Sequence, residues 1–284
     1  MKVVCVGGGP AGLCFALLMK LKNRDHHVEV HERHEEGNTF GWGVVLSDQV
    51  IDELANHDRE LAHSLLDHCA EWDEVELRVR GRVFTTGGHG YIGIGRRKLL
   101  SLLTQRARAL GVEVYHGSEV TSLERFADAD LVVASDGINS KIRDLHTERF
   151  KPRIDVRSNR YIWLGTNQTF PAFTFIFEKT EHGWFQAHAY QFEAGLSTFI
   201  VECRDETLRA HGLHEATSAE GISFCERLFA KHLGGHHLMS NAKHLRGSEW
   251  LTFSRIQNES WHHENIVLLG DAAHTAHFSI GSGT

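Results

Sequence analysis

Gly7, Gly9 and Gly12 follow the apolar run Val3 to Val6 at G-x-G-x-x-G spacing. In that setting each glycine has its own task. Gly7 permits a tight turn, Gly9 lets a pyrophosphate reach the backbone, and Gly12 lets a helix pack closely on the strand. Pro10 and Ala11 lie inside the turn, and the unpaired N–H groups of the helix that follows present a positive end to phosphate. Glu32, with Arg33 beside it, ends a second strand-like run about 20 residues past the last glycine, where a carboxylate receives ribose hydroxyls. Two further acids stand in the same relation to a strand. Asp136-Gly137 follows Leu131 to Ala134, and Gly270-Asp271 follows Ile266 to Leu269. Open α/β sheets bind their ligands at such carboxyl ends of strands.

Bringing these residues together requires one parallel sheet assembled from distant segments. The all-apolar run Val3 to Val6 suits a strand buried on both faces. Leu13, Ala16, Leu17 and Leu21 share one face of a helix over Ala11 to Lys22, and Val28 to His31 is a second strand. This is a βαβ unit. Val112 to Tyr115 adds a strand, and Leu99, Leu100, Leu103 and Ala107 mark a helix over Arg97 to Leu110 that stops at Gly111. The middle of the chain differs. Arg160 to Thr166, Phe173 to Thr180, Gly183 to Phe192 and Leu196 to Arg204 are aromatic and β-branched runs with short turns between them, which predicts an antiparallel sheet. Thr217-x-x-Glu220 is a capping box for a helix with Ile222, Cys225, Leu228, Phe229 and Leu233 on one face. The expected fold is α/β: a Rossmann-like βαβ domain (1–69, 92–152 and 261–284) with an inserted, mainly antiparallel β domain for substrate (70–91 and 153–260).

Bulk properties narrow the partners. The net charge of −7, from 30 basic and 37 acidic residues, leaves no electrostatic footprint for nucleic acid or an anionic membrane. No apolar run approaches the ~18 residues of a spanning helix. The five cysteines are dispersed without C-x-x-C spacing, as for reduced thiols, so a cytoplasmic location is expected. The 22 histidines form no zincin motif, and no metal site is expected.

A chain that opens on a dinucleotide turn and returns to a strand-Gly-Asp turn far downstream can hold FAD from both ends. Asp271 can accept from a ribityl hydroxyl. A helix start near Gly281 and Gly283 would face the flavin pyrimidine carbonyl, where negative charge gathers on reduction. Trp42, flanked by Gly41 and Gly43, either approaches the flavin with its ring or backbone or is a core tryptophan. On the strand Gly183 to Phe192, alternation puts Trp184, Gln186, His188 and Tyr190 on one face, which is either an aromatic pocket wall or a half-buried sheet face.

The three segments, in this order and with Arg96-x-x-Leu99-x-x-x-Leu103 between them, resemble the FAD-dependent aromatic-ring hydroxylases over essentially the whole chain. Phe40-Gly-Trp-Gly-Val-Val-Leu-Ser47, Glu181 to Tyr190 and His277 to Thr284 carry a narrower similarity, to the flavin domains of hydroxylases acting on salicylyl-CoA or 2-aminobenzoyl-CoA. Violacein-pathway hydroxylases of indole-type substrates share some of these segments. The resemblance implies a glutathione-reductase-type FAD domain. It also implies reduction of FAD by NADH or NADPH, reaction with O2 to a flavin C4a-hydroperoxide, and transfer of hydroxyl to an activated aromatic substrate. Arg96 and Gly43 become candidate cofactor contacts, and Trp42, His188 and His277 candidate catalytic residues. His277 stands where most members have a proline, and it either bonds the hydroperoxide or substrate or fills space. A thioester substrate would need cations for its phosphates, and Lys151, Arg153, Arg157 and Arg160 are candidates. The alternatives are a related reductase or halogenase, although W-x-W-x-I-P is absent, and a flavin-binding module within a longer polypeptide. The choice of nicotinamide donor and the oligomeric state stay open.

Overall fold

A computed structural model describes residues 1–39, 41–241 and 249–278. In chain order the elements are β1 (Lys2–Val6), α1 (Pro10–Lys22), β2 (His27–His31), β3 (Gly43–Ser47), α2 (Asp48–His57), α3 (Arg59–Leu66), β4 (Ala70–Trp72), β5 (Val75–Val79), β6 (Arg82–Thr86) and β7 (Tyr91–Gly95). There follow α4 (Arg96–Ala109), β8 (Glu113–Tyr115), β9 (Leu131–Ala134), α5 (Lys141–Leu145), α6 (Thr147–Phe150), β10 (Pro152–Thr166), β11 (Phe173–Thr180), β12 (Gly183–Glu193) and β13 (Leu196–Arg204). The chain then continues through α7 (Asp205–Ala210), α8 (Ser218–Leu228), α9 (Ala230–Leu233), β14 (Leu238–Met239), β15 (Leu251–Asn258), β16 (His262–His263) and β17 (Ile266–Leu268).

The first sheet has the order β16-β17-β9-β1-β2-β8, with every pairing parallel except β16 to β17. Val3 to Val6 are at most 3% exposed because helices or loops cover both faces. At roughly 1.5–3 kcal/mol for each fully buried aliphatic side chain, that strand alone anchors the layer. Proline opens α1, where a missing N–H costs nothing. Its buried face (Gly12, Leu13, Ala16, Leu17) packs in one core with Leu99, Leu103 and Ala107 of α4. Cys5 belongs to this core, and burial pushes its thiol up to about 12, so it packs as an inert apolar group.

The second sheet has the order β14-β10-β13-β12-β11-β5-β6, with β15 also paired to β10. Ile162, Leu164, Phe185, Ala187, Phe199 and Val201 of one face join Cys225 and Phe229 in a core beneath α8. The capping box of α8 forms as expected, with the Thr217 hydroxyl accepting from Glu220 N–H and the Glu220 carboxylate accepting from Thr217 N–H. The opposite face presents Tyr161, Gln186, His188 and Glu202. β10 is longer than the sequence suggested. Its charged first half, Pro152 to Val156, pairs with β15 ahead of a register shift between Val156 and Arg160. A three-stranded sheet, β3-β7-β4, was not legible, because its strands are short and two of them contain glycine.

Candidate active site

The Gly7 turn is tight enough to admit no side chain. A β-carbon on Gly7, at φ +107°, would stand 2.3 Å from the Ser135 carbonyl oxygen, and one on Gly12 would stand 2.1 Å from the Gly7 carbonyl oxygen. A β-carbon on Gly9 would meet nothing within 4 Å. The glycines thus divide as their spacing implies. Two close the strand–helix junction, and one leaves open space before the first turn of α1, whose N-terminus has no side-chain cap. The Glu32 carboxylate steadies this turn by accepting from Gly8 N–H at 2.8 Å and His34 N–H at 2.9 Å. Arg33 is exposed beside it.

The two later acids reach the same edge of the sheet. Asp136 Oδ2 accepts from Lys141 N–H at 2.7 Å, while its Oδ1 is buried with no partner. Gly137, at φ +85°, leaves open space. Gly270 brings its loop against Ala11, where a β-carbon would lie 2.8 Å from the Ala11 methyl. Asp271 is exposed to solvent at this edge, although neighbouring protein shields part of its carboxyl. That shielding raises its carboxyl above the ordinary aspartate range, and Arg96 and His274 act against that rise. Burial likewise lowers Arg96, while Asp271 and Glu32 both act to keep it charged. Arg96 also donates through Nε to Thr39 Oγ1 at 3.1 Å, and its N–H donates to the Trp42 carbonyl at 2.8 Å. The uncapped helix end, the open space at Gly9 and Gly137 and the orphaned Asp136 oxygen all fit a dinucleotide.

Trp42 and Gly43 lock this edge to the second sheet. Gly43 N–H donates to Thr198 Oγ1 at 2.9 Å, and its carbonyl accepts from the Tyr190 hydroxyl at 2.8 Å. A β-carbon there would enter the Phe192 ring. The second sheet thus engages both backbone groups of Gly43. The Trp42 ring lies against Gly165, in the packing role, while its Nε1 is buried without a hydrogen-bond partner.

The face of the second sheet opposite its core carries a buried acid that sequence inspection missed. Glu202, 7% exposed, lies opposite Gln186 on one side and Tyr161 on the other. Its Oε1 accepts from Asn159 Nδ2 at 2.7 Å and is 3.4 Å from His277 Nε2. Its Oε2 is 3.7 Å from His188 Nε2, an ion-pair rather than hydrogen-bond separation. Burial alone would raise this carboxyl, but His188, His277 and Asn159 outweigh it and hold the group well below the usual range. Burial pushes His188 down, with Glu202 working against the shift. Gln186 Nε2 lies 2.8 Å from His188 Nε2. Phe278 stacks on His277 with ring centroids 4.3 Å apart and also meets Tyr161 and His188. The signal for Glu202 was present, since it is the one acid inside the otherwise apolar or small-residue run Leu196 to Cys203. What made it informative was the histidine that a distant segment sets against it.

The structure therefore gathers Gly7, Gly9, Pro10, Ala11, Gly12, Glu32, Arg96, Asp136, Gly137, Gly270 and Asp271 at one sheet edge. His188 and His277 meet on a separate sheet face. Gly281 and Gly283 lie outside the described residues. The group Lys151, Arg153, Arg157 and Arg160 does not converge, because the residues run along one strand. Three of them pair elsewhere: Lys151 with Glu259, Arg157 with Asp155 and Arg160 with Asp205.

Comparison with known proteins adds independent findings. The chain matches no family model. It is 42% identical to salicyloyl-CoA 5-hydroxylase of a Streptomyces species, over all of this chain and 56% of that protein, so it spans little more than half of that relative. It is 34% identical to a 3-hydroxy-4-methyl-anthranilyl-(aryl-carrier protein) 5-monooxygenase of Streptosporangium sibiricum, over all of this chain and 75% of that protein. It is 33% identical to protodeoxyviolaceinate monooxygenase of Chromobacterium violaceum, over all of this chain and 76% of that protein. Among solved structures, 2-methyl-3-hydroxypyridine-5-carboxylic acid oxygenase shares the fold at a TM-score of 0.77 and 20% identity, over 99% of this chain and 78% of that one.

Proposed function

The chain belongs to the family of flavin-dependent aromatic-ring monooxygenases, and from that premise we propose that it binds FAD along the Gly7, Asp136 and Asp271 loops and hydroxylates an electron-rich aromatic ring. The observation that carries this reading is the convergence of the Gly7 turn, Asp136-Gly137 and Gly270-Asp271 at the carboxyl ends of neighbouring strands of one sheet, with open space at Gly9 and Gly137. It supports a single elongated ligand received by both ends of the chain. Gly7, Gly9, Pro10, Ala11 and Gly12, with the N-terminus of α1, would hold the pyrophosphate. Glu32 and Arg33 would take the adenosine side, and Asp136 and Asp271 the remaining hydroxyls. FAD, reduced by NADH or NADPH, would supply the activation of O2 for transfer of one oxygen atom.

The chain's own residues would prepare the ring. The transferred oxygen is electrophilic, so an ortho hydroxyl or amino group on a benzoyl thioester suits the chemistry. His277, 3.4 Å from Glu202, would accept the proton of that substituent, and His188 would steady the other carboxylate oxygen. Tyr161, Phe278 and Phe253, whose ring lies 5.0 Å from that of His277, would wall the substrate from water. In this reading 1–69, 92–152 and 261–284 carry the flavin, and 70–91 with 153–260 carry the substrate.

The test is NADH or NADPH oxidation by FAD-loaded protein against benzoyl-CoA esters, free acids and indoles, with the hydroxylated product measured. A yellow holoprotein that forms ring-hydroxylated product from salicylyl- or 2-aminobenzoyl-CoA is the expected result. A colourless protein that cannot be loaded would sink the reading. Glu32→Ala is expected to weaken FAD binding by roughly 1.5–3 kcal/mol, the worth of a hydrogen bond to a charged group. Unchanged affinity in a fluorescence titration would remove Glu32 from the site.

A further inference from the structure

We propose that the outer end of the same sheet face binds the phosphate of a phosphopantetheine thioester, whose acyl ring lies beside Glu202. The inference rests on the hydroxylase reading and adds a subsite to it. Trp184 lies on β12 four residues before His188, on the same face of the strand, with Gln186 between them. At the rise of an extended strand Trp184 stands about 13 Å from His188 and about 7 Å from Gln186, the residue opposite Glu202, so both lie within the span of a pantetheine arm. Lys179 lies directly opposite Trp184 in register. On the other side the last paired residues are Phe185 and Cys203, so Arg204 flanks Trp184 there. A fourth residue, Arg80, lays its guanidinium over the Trp184 ring, 5.7 Å from the centroid.

Three features set this row apart from an ordinary charged surface. Trp184 is 36% exposed, in a position where a polar residue would serve a solvated strand end equally well. Arg80 occupies the first position of the two-residue turn between β5 and β6, at φ +51° followed by Gly81 at +73°. Asn, Asp or Gly suits such a turn, and an arginine keeps it only against its backbone preference. Among the described residues neither Arg80 nor Lys179 has a recorded carboxylate partner, and Arg204 has only the exposed Glu206. An indole ringed by cations is a site for a phosphate-bearing chain, since guanidinium and ammonium groups bind phosphate and the ring receives the apolar arm. Two of the relatives are named for substrates of this kind, one carried on coenzyme A and one on a carrier protein. The chemistry shared by both is a thioester at one end of a pantetheine arm and a phosphate at the other.

The experiment is calorimetric titration of the FAD-loaded protein with benzoyl-CoA, benzoyl-phosphopantetheine and benzoyl N-acetylcysteamine thioester, which has no phosphate. Benzoyl-CoA is expected to bind at least tenfold tighter than the phosphate-free thioester, with an advantage that shrinks as salt rises. The double variant Arg80→Ala, Lys179→Ala is expected to lose that advantage, with binding of the phosphate-free thioester and the flavin spectrum as references for intact folding. Equal affinity for benzoyl-CoA and the phosphate-free thioester would overturn the proposal, as would a variant that keeps the CoA preference or loses both affinities alike. Benzoyl-phosphopantetheine separates the sources. Affinity near that of benzoyl-CoA assigns the row to the shared phosphate, and affinity no better than that of the phosphate-free thioester removes that assignment. Binding is read without turnover. Hydroxylation of the phosphate-free thioester without any CoA preference would therefore sink this subsite and leave the hydroxylase reading standing.

Discussion

Gly12→Ala is expected to cost the protein both stability and FAD, whereas Gly9→Ala, three residues away, is expected to cost FAD alone. The new β-carbon at 12 would stand 2.1 Å from the Gly7 carbonyl oxygen and 2.4 Å from Ser135 Oγ. Backbone, not a flexible side chain, would have to move. Overpacking typically costs about 1–3 kcal/mol, and a clash with backbone belongs at the upper end. At roughly 2–4 °C per kcal/mol for a domain of this size, the melting temperature of Gly12→Ala should fall by about 6–12 °C. The distorted turn should bind FAD at least tenfold more weakly, about 1.4 kcal/mol. At Gly9 the backbone is extended (φ −74°, ψ 177°), and a β-carbon meets nothing within 4 Å. Stability should therefore stay within about 0.5 kcal/mol of the parent, while the methyl occupies the space reserved for pyrophosphate. Thermal melts and flavin titrations of the two variants make the comparison. A Gly9→Ala protein that binds FAD like the parent would show that the open space is not the phosphate seat.

Glu202→Gln should uncouple electron flow from hydroxylation. The substitution keeps the shape of the side chain and its contact with Asn159 but removes the charge that His188 and His277 share. Loss of a positioned acid–base group costs typically 10²- to 10⁴-fold. Product formation should fall about a hundredfold while NADH is still consumed and H2O2 appears instead. His277→Ala should show the same redirection of electrons. Equal coupling in parent and variants would return both residues to packing roles. Protonation behaviour gives a second readout. The carboxyl is held below the ordinary glutamate value of about 4.3. The stability it contributes is therefore present above that value and is lost as pH falls through the lowered one. A melting-temperature difference between parent and Glu202→Gln should be complete at neutral pH and should close in acid. A difference independent of pH would mean that the charge is not what matters.

Periodicity and local spacing carried much of this protein. The G-x-G-x-x-G turn, the strand ends bearing Glu32, Asp136 and Asp271, the helix face of α1 and the Thr217 capping box are all local patterns, set by a few adjacent residues and by backbone geometry. Such patterns survive without knowledge of what they pack against. Short strands such as β3 and β4 did not register, because three to five residues cannot separate a strand from a loop by periodicity. The basic run around Arg157 looked like a phosphate site only while it was a line of letters. In space its members follow one strand, and three of them pair with acids.

Which acids stand at strand ends, which glycines make the turns and which strands belong to the first sheet were thus decided by the sequence. What those groups meet was decided by the tertiary structure. Gly7 meets Ser135, and Gly270 meets Ala11, only when the first sheet assembles. Gly43 is claimed by Thr198 and Tyr190 from a different sheet. Glu202 becomes a charged partner of two histidines only when β12, β13 and the segment after β17 are brought together. The physical reason is that the charge state of a buried acid depends on groups within a few ångströms, and those groups come from parts of the chain that no local pattern connects.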